Sequence, residues 1–292
     1  MESDIRSAIL GFIVGDALGV PVEFVDREKL KFNPITDMTG YGTYNQPPGT
    51  WSDDTSLTLC TIESLIGGYD LSDLGKRFVR WLYHNHWTPH GEVFDVGSTT
   101  EAGLKRLKNG ESAEKSGSAQ VSANGNGSLM RMLPLLFYVD AIETDQKRYE
   151  VIRQVSAITH AHLRSTLSCY YYLEFARFLQ QDFAPTDAYK AANESFLRLV
   201  QKIGIEAQEL AHFDRLLNGS IAMLDDADIN TETYVIYTLE AALWCTLTTQ
   251  SYPEAVLKAV NLGKDTDTTA AITGGLAGLI YSAEAIPPHW LQ

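Results

Sequence analysis

Hydrophobic residues recur at helical spacing along nearly the whole 292-residue chain. Ile5, Ile9 and Phe12 share one face of a predicted helix, and a long helical pattern runs from Val151 to Phe178. Strands would instead alternate apolar and polar residues, and such alternation is scarce in this sequence. The pattern therefore predicts an all-α fold. Because neither a fixed-period repeat nor a low-complexity linker interrupts it, we expect one compact domain over residues 1–292.

The last predicted helix, over residues 268–283, contains a stripe of small residues. Ala270, Gly274 and Gly278 lie four residues apart and share one face. Glycine inside a helix is less favourable than alanine by about 1 kcal/mol. Several such residues indicate a compensating gain in packing, most simply the close approach of a neighbouring backbone. We therefore expect this helix to lie at the centre of the fold.

The charge balance of the chain argues against one broad class of function. The sequence has 23 Lys and Arg residues against 37 Asp and Glu residues, a formal charge of −14. A surface this acidic repels polyphosphate, so we expect no general nucleic-acid binding. A small anionic ligand is compatible with the chain only if a bound cation or a helix N-terminus offsets the negative field.

Other features of the sequence favour a cytoplasmic protein. Cys60, Cys169 and Cys245 lie far apart in apolar stretches, so we expect buried free thiols rather than disulfides or a metal site. The acidic N-terminus, Met1–Asp4, does not resemble a signal peptide. We also expect no membrane contact, because the longest apolar stretch, from Ala270 to Ala283, is too short to span a bilayer.

Two acidic clusters each open a predicted helix. The first is Trp-Ser-Asp-Asp-Thr at residues 51–55, and the second is Asp-Thr-Asp-Thr-Thr at residues 265–269. Ser, Asp and Thr are common helix N-caps, so capping alone can explain either cluster. One cap is enough for a helix, however, and adjacent carboxylates repel one another unless a cation compensates them. The surplus of carboxylates favours a cation site.

The ligand types in these clusters indicate which metal they would bind. Carboxylate and hydroxyl oxygens without His or Cys suit hard ions, so we expect Mg²⁺, with Mn²⁺ also compatible. Four aspartates would serve two cations about 3.5–4 Å apart, the spacing of two-metal hydrolytic sites. This arrangement requires the two helix starts to meet in space.

Three further motifs contain candidate ligand-binding residues, and each also has an ordinary structural explanation. Glu23 lies between two apolar neighbours, where it either extends towards solvent or is held inward by a cation. The Gly-rich segment 123–131 exposes backbone N–H groups suited to phosphate, with Arg131 adding charge, although Asn-Gly repeats are usually turns. For His160 and His162, ligand contact or a buried hydrogen bond is favoured over metal ligation.

Taken in order along the chain, these motifs resemble the ADP-ribosylglycohydrolase family. The matching segments, spread over residues 5–291, are Gly-Asp-Ala-Leu-Gly followed by Glu, Ser-Asp-Asp-Thr, Asp-Val-Gly-Ser-Thr-Thr, Gly-Asn-Gly-Ser-Leu-Met-Arg, Thr-His-Ala-His and Asp-Thr-Asp-Thr-Thr-Ala-Ala-Ile. The resemblance implies an orthogonal all-α domain with a binuclear magnesium centre. It also implies a hydrolase that removes ADP-ribose from a modified protein or small molecule, with an N-glycosidic arginine linkage favoured.

The resemblance further assigns roles to individual residues. It implies that the metal ligands are Ser52, Asp53, Asp54, Asp265, Asp267 and Thr268. It implies catalytic roles for Asp53, Asp54, Asp265 and Glu23. The substrate-binding residues would be Asp95 near the ribose, Gly125, Asn126, Gly127 and Ser128 at the diphosphate, Met130 next to this loop, and His160 on the adenosine side. Lys264 departs from the family pattern, and a lysine there would pair with an aspartate or influence substrate choice.

Two other functions stay open at this point. A catalytically silent protein of the same fold would bind or sequester ADP-ribose, as an immunity protein would. A phosphatase of the haloacid dehalogenase type would use residues 265–269 as its nucleophile motif, but that motif should follow a buried β-strand near the N-terminus. Here it lies at the far end of the chain and opens a predicted helix.

Overall fold

The computed structural model describes residues 2–292, which form helices joined by turns and loops. The α-helices are α1 (Glu2–Gly19), α2 (Arg27–Phe32), α3 (Asp53–Ile66), α4 (Leu71–His84), α5 (Ser98–Lys108), α6 (Leu136–Val139), α7 (Asp145–Ala157), α8 (Leu163–Gln180), α9 (Pro185–Ile203), α10 (Ala207–Leu210), α11 (Asp214–Leu217), α12 (Val235–Leu247), α13 (Tyr252–Val260) and α14 (Thr266–Tyr281). Short 3₁₀ helices lie at Val20–Val22, Gly42–Tyr44, Val121–Ala123, Leu129–Arg131, Leu133–Leu135, Ala211–Phe213, Ile221–Met223, Asp226–Asp228, Ala283–Ala285 and Pro288–Leu291. Residues 2–292 contain isolated β-bridges and no strand, which confirms the predicted all-α class.

The long helical pattern expected from Val151 to Phe178 is two helices, α7 and α8, rather than one. The chain turns between them at the Thr-His-Ala-His motif, which pairs with a neighbouring loop through Ser118. The Ser118 N–H donates to the Thr159 carbonyl (3.0 Å), and the Ala161 N–H donates to the Ser118 carbonyl (2.8 Å). The apolar spacing continues across the break because both helices bury residues in the same core.

The small-residue stripe of α14 packs directly against α1. A Cβ atom on Gly274 would overlap the carbonyl oxygen of Gly11, and a Cβ atom on Gly15 would overlap that of Ala270. The two helices therefore touch through their backbones. Residues 266–278 of α14 are all buried. The predicted close approach and the predicted central position of this helix are both confirmed.

Because of this contact, the C-terminal end of α1 lies next to the N-terminal end of α14. Gly19 lies against the backbone of Asp267 with no room for a Cβ atom. The Thr266 hydroxyl donates to the Gly19 carbonyl (2.8 Å). Because Asp16 and Glu23 lie on either side of Gly19 in the chain, the same contact brings their carboxylates to the second acidic cluster.

The hydrophobic core is one cluster of buried side chains that extends from α1 to the C-terminal 3₁₀ helix. Cys60, Cys169 and Cys245 belong to this cluster, and all three are free and buried. The expectation of buried free thiols is therefore confirmed. Burial raises the pKa of each thiol above its ordinary value, to about 11 for Cys169, so these groups are held as neutral thiols.

The apolar character of α1 is greater than the sequence analysis recognised. The segment of residues 2–22 is long and apolar enough to cross a membrane by length and composition, and an 18-residue window within it has a mean hydropathy of 1.6. This segment is longer than the stretch from Ala270 to Ala283, so the expectation that the latter is the longest apolar stretch is wrong. In the fold, 67% of this window is buried. The packing of α1 against α14 accounts for the apolar composition of α1.

The backbone contact between α1 and α14 predicts an unusual effect of alanine. Gly274→Ala is expected to destabilise the protein by about 1–3 kcal/mol, the usual range for overpacking, although alanine is the better helix former. Urea unfolding followed by circular dichroism measures the change. Gly67→Ala is the control, because a Cβ atom there meets nothing closer than 3.6 Å. Unchanged stability of Gly274→Ala would contradict the contact.

Candidate active site

The two acidic clusters, more than two hundred residues apart in sequence, meet at the ends of α1, α3 and α14. Together with Asp16 and Glu23, they form two groups of three carboxylates, and in each group one oxygen from every residue lies within 4.8 Å of the others. One group is Asp16, Asp54 and Asp267, and the other is Glu23, Asp265 and Asp267. Asp267 belongs to both groups. The arrangement therefore offers two adjacent positions for a cation, with one shared ligand.

The start of α3 uses Asp16 from α1 as part of its cap. The Asp16 carboxylate accepts hydrogen bonds from the backbone N–H groups of Ser52 (3.0 Å) and Thr55 (3.0 Å). The Ser52 hydroxyl donates to Asp54 Oδ2 (3.0 Å), and its oxygen also accepts from the Asp54 N–H (3.3 Å). Capping is thus provided by Asp16 and Ser52. The carboxylates of Asp53 and Asp54 are not needed for it.

The start of α14 is tied to α3 and to the glycine-rich loop. The Thr268 hydroxyl donates to Asp54 Oδ2 (3.2 Å), and Asp267 Oδ1 accepts from the Thr268 N–H (2.9 Å). The Asn126 side-chain amide donates to Asp265 Oδ2 (2.5 Å). These bonds engage one oxygen each of Asp54, Asp265 and Asp267. The second oxygens of Asp54 and Asp267 stay without a partner among the described residues.

The electrostatics of the cluster favour a cation. Burial, followed by the nearby Asp95 and Asp265 charges, raises the pKa of Glu23 to about 9. Burial and neighbouring carboxylates also raise the pKa values of Asp54 and Asp267 well above their ordinary range. Three buried oxygens, Glu23 Oε2, Asp54 Oδ1 and Asp267 Oδ2, have no hydrogen-bond partner among the described residues. Unpartnered carboxylate oxygens held this close fit divalent cations such as Mg²⁺.

Asp16 is the member of the cluster that sequence reasoning missed. It lies in the Gly-Asp-Ala-Leu-Gly segment that carries part of the family resemblance, which assigns no role to its carboxylate. Asp16 is fully buried, and burial raises its pKa to about 6. A signal was present in the sequence, since an aspartate inside an apolar helical run needs a partner when it is buried.

A cavity of about 480 Å³ opens beside the cluster. Among the carboxylates, its wall includes Glu23, Asp53, Asp95 and Asp265. Asp16, Asp54 and Asp267 are not among the lining residues. The rest of the wall comes mainly from the glycine-rich loop, the segment that follows Asp95, and the side chains of Met130, His160, Thr233 and Tyr234.

The glycine-rich loop presents backbone to this cavity. Gly125 and Gly127 line it, and their N–H groups have no hydrogen-bond partner within residues 2–292. A Cβ atom on Gly127 would lie 2.7 Å from Thr100 Oγ1 and 2.9 Å from His160 Cε1, so only glycine fits there. Free backbone N–H groups at a cavity wall suit phosphate oxygens. The Asn126 side chain instead points towards Asp265.

Two residues expected at the phosphate site lie behind the loop. Ser128 is fully buried, and its side-chain oxygen accepts from the Ser156 hydroxyl (2.9 Å). Arg131 is also fully buried, and its guanidinium donates to the Gly127 carbonyl and to Thr159 Oγ1 (3.0 Å). Neither residue lines the cavity, so the expected contribution of the Arg131 charge to phosphate binding is corrected, while a place for Ser128 in the diphosphate loop stays a prediction. Both side chains therefore lie beneath the loop, where Arg131 also packs over the Phe78 ring, 4.7 Å from its centre.

His160 and Asp95 line the cavity from different segments. Burial, with a smaller contribution from Arg131, lowers the pKa of His160 to about 3, so the imidazole is neutral. Its Nδ1 lies 2.7 Å from Thr159 Oγ1. Asp95 has a left-handed backbone with φ 49°, and burial raises its pKa to about 6. Both positions agree with contacts to a bound ligand.

Lys264, the departure from the family pattern, does not contact the acidic cluster. Its ammonium lies 2.7 Å from Asp26 Oδ1. Its backbone accepts from the Phe24 N–H (2.6 Å) and donates to the Val25 carbonyl (2.8 Å). The lysine therefore joins the segment after Glu23 to the start of the second cluster, and no carboxylate of the cluster is neutralised by it.

The fold and the site define an all-α protein with a cation-compatible carboxylate cluster at the edge of a cavity suited to phosphate. The chain matches the family model described as ADP-ribosylglycohydrolase over residues 1–292. It is 33% identical over 291 residues to ADP-ribosylarginine hydrolase Tri1 of Serratia proteamaculans (strain 568), covering 98% of this chain and 74% of that protein. It is 30% identical to ADP-ribosyl-(dinitrogen reductase) glycohydrolase of Rhodospirillum rubrum, covering 98% and 88%.

Comparison with solved structures gives the same family. A structure named ADP-ribosylglycohydrolase-related protein complex has a TM-score of 0.75 and 31% sequence identity, covering 99% of this chain and 91% of its own. The chain therefore belongs to the ADP-ribosylglycohydrolase family, and it is a glycosidase that removes ADP-ribose from a modified acceptor. The phosphatase alternative is wrong, since helix α13 and a turn over residues 261–264 precede Asp265, where that motif requires a strand.

The carboxylate cluster predicts that replacing Asp267 changes the melting temperature differently with and without metal. Asp267→Asn removes a negative charge from both groups, so the metal-free variant is expected to melt at a higher temperature than the metal-free wild type. Saturating Mg²⁺ is expected to raise the melting temperature of the wild type and to raise that of the variant much less. Differential scanning fluorimetry with EDTA or MgCl₂ measures both effects.

Glu111→Gln serves as the control, because Glu111 is an exposed carboxylate outside the cluster. It should respond to Mg²⁺ as the wild type does. An equal Mg²⁺ response in Asp267→Asn and the wild type would contradict the assignment of Asp267 as a shared ligand.

Proposed function

We propose that this chain is a magnesium-dependent hydrolase that cleaves the N-glycosidic bond between ADP-ribose and an arginine side chain of a protein. The observation that carries the proposal is the pair of carboxylate groups joined by Asp267, next to a cavity with free glycine N–H groups. The arginine acceptor is supported by the name of the Serratia relative, an ADP-ribosylarginine hydrolase. Mn²⁺ suits the same oxygen ligands.

Two divalent cations would be held by the two carboxylate groups, with the hydroxyls of Thr268 and Ser52 nearby. Asp53, also expected as a metal ligand, belongs to neither group. When bound, a divalent cation supplies positive charge among the carboxylates and makes a neighbouring water molecule a better nucleophile at neutral pH. Without cations, the charged side chains of the cluster are all carboxylates, and ADP-ribose is itself an anion. The proposal therefore explains how an acidic protein accepts such a ligand.

The cavity-facing residues then have distinct roles in the proposed reaction. Glu23, Asp53 and Asp265 are the candidates to accept the proton of the attacking water, because all three carboxylates line the cavity. Asp54, the fourth expected catalytic carboxylate, is not among the lining residues. Asp95 orients the ribose, and the Gly125 and Gly127 N–H groups donate to the diphosphate. Water attacks the anomeric carbon as the bond to the arginine nitrogen breaks, with an oxocarbenium-like transition state next to the carboxylates. The C–N electron pair stays with the nitrogen, so the cationic guanidinium leaves as a neutral guanidine. The proton lost by the attacking water goes to the carboxylate base, and the free arginine then takes up one proton to become cationic again.

His160 and Met130 complete the proposed ligand site. The neutral imidazole of His160 lies against Gly125 and Gly127, where it fills space and accepts or donates one hydrogen bond without adding charge. Met130 gives an apolar surface to the same wall. We assign these two side chains to binding of the nucleotide part of the substrate, and no proton transfer to either of them.

Loss of the shared ligand is expected to abolish turnover without unfolding the chain. Asp267→Ala should lower kcat/KM by about a hundredfold or more, because it removes a ligand from both cation positions. Release of free ADP-ribose from an arginine-modified protein measures activity, and circular dichroism checks the fold. Normal turnover by a folded Asp267→Ala variant would refute the assignment.

The linkage is tested by a panel of substrates carrying ADP-ribose on arginine, guanidine, serine or thymidine, with and without EDTA. We expect cleavage of the arginine and guanidine conjugates and its loss in EDTA. Faster release from serine or thymidine would contradict the proposed acceptor. Tight binding of ADP-ribose with no release from any conjugate would instead favour the silent binding protein.

A further inference from the structure

Asp95 reaches the cavity on a segment that has little backbone support. Residues 85–97, which we call the strap, connect α4 to α5. Within the described chain, residues 89–96 form no backbone–backbone hydrogen bond. Trp87 and Asp95 both have left-handed backbones, with φ 58° and 49°. Such conformations in large side chains persist only where surrounding contacts hold them, so the position of Asp95 depends on side-chain anchors.

The strongest anchor of the strap is Glu63, on the side of α3. Glu63 Oε2 accepts from the Trp87 indole N–H (2.9 Å) and lies 2.6 Å from His86 Nε2. Its other oxygen, Oε1, lies 2.6 Å from the Arg77 guanidinium. Hydrogen bonds from Arg77, and then from His86 and Trp87, lower the pKa of Glu63 to about 2. The anchor is therefore a charged acceptor with both oxygens engaged.

A second set of contacts attaches the strap close to the first acidic cluster. The Trp51 indole N–H donates to the Trp87 carbonyl (3.3 Å). The Thr50 hydroxyl donates to the Pro47 carbonyl (2.8 Å), so its oxygen is free to accept from His90 Nε2 (2.9 Å). The strap thus follows α3 from the position of Glu63 towards the start of the helix.

The far end of the strap faces the cavity. Asp95 and Asp53 both line it. After burial, the charge of Asp95 contributes most to the raised pKa of Asp53. The Phe94 ring packs on Tyr44, with 5.1 Å between the ring centres. Glu63 itself is not among the cavity-lining residues. An effect of Glu63 on substrate is therefore indirect, and its contacts with His86 and Trp87 make the strap the connection to Asp95.

We propose that Glu63 is a positioning residue for Asp95: by holding Trp87 and His86, it fixes the strap so that the Asp95 carboxylate faces the ribose side of the cavity. This inference rests on the proposed function, because it takes Asp95 as a contact of ADP-ribose. It extends that function to a residue on the outer face of α3, beyond direct contact with the ligand.

The test compares two variants that break the same anchor. Glu63→Ala removes the acceptor, and Trp87→Phe removes only the indole donor while keeping an aromatic ring. Both are expected to weaken ADP-ribose binding, measured by isothermal titration calorimetry, by about tenfold, and to raise KM more than they lower kcat. The Mg²⁺-induced rise in melting temperature should stay as in the wild type. Glu63→Ala combined with Trp87→Phe should bind little worse than Glu63→Ala alone.

Asp73→Asn is the matched control. Asp73 Oδ2 lies 2.6 Å from the same Arg77 guanidinium and accepts from the Ser64 hydroxyl (2.7 Å), but it contacts no strap residue. This variant should lose stability while its dissociation constant for ADP-ribose changes less than about twofold, within the ordinary effect of a remote substitution.

Two results would overturn the inference. If Glu63→Ala and Trp87→Phe both bind ADP-ribose as the wild type does, the strap needs no anchor. If Asp73→Asn weakens ADP-ribose binding as much as Glu63→Ala does, the effect reflects lost stability only. The proposed function fails separately, if the wild type releases no ADP-ribose from any conjugate. Because the dissociation constant for ADP-ribose is measured without turnover, the role of Glu63 is decided in either case.

Discussion

Backbone contact between α1 and α14 is the constraint on which the site depends. Glycines on both helices allow the carbonyl of Gly11 to lie where a side chain would otherwise project from Gly274. Farther along the same pair, Gly19 lies directly on Asp267. With bulkier residues the helices would be held apart by the width of a side chain. The carboxylates of α1 and α14 would then be too far apart to share a cation.

The close contact concentrates negative charge that the protein chain does not neutralise. Six buried carboxylates lie together, contributed by Asp16, Glu23, Asp53, Asp54, Asp265 and Asp267. Buried charge without a partner is unfavourable, and the raised pKa values express that energy. Large apolar surfaces buried elsewhere in the core allow the fold to tolerate this local repulsion. Bound cations would relieve this repulsion, which is the physical reason for the proposed metal dependence.

The sequence predicted those features whose signal lies in local spacing. The all-α class followed from the helical period, and the central position of α14 followed from its glycines. Both acidic clusters were identified because they exceed what capping requires. Features that depend on side-chain direction were missed or misplaced. Asp16 appears as one acidic residue in an apolar run, and Ser128 and Arg131 point beneath the loop to which they belong.

Long-range pairing explains the remaining differences. The break between α7 and α8 is stabilised by Ser118, some forty residues earlier, so the local apolar period gave no sign of it. The role of Glu63 depends on a segment that has no regular structure and returns along α3. Neither contact has a signature in the residues that form it. A three-dimensional arrangement was needed to show which polar residues outside the motifs support the site.

Anomalous X-ray diffraction from crystals soaked in Mn²⁺ tests the central claim most directly, because it locates the cations without reference to activity. The account predicts two neighbouring anomalous peaks, one bounded by Asp16, Asp54 and Asp267 and the other by Glu23, Asp265 and Asp267. Both peaks should contact Asp267. Peaks elsewhere on the surface, with none between the ends of α1, α3 and α14, would contradict the account.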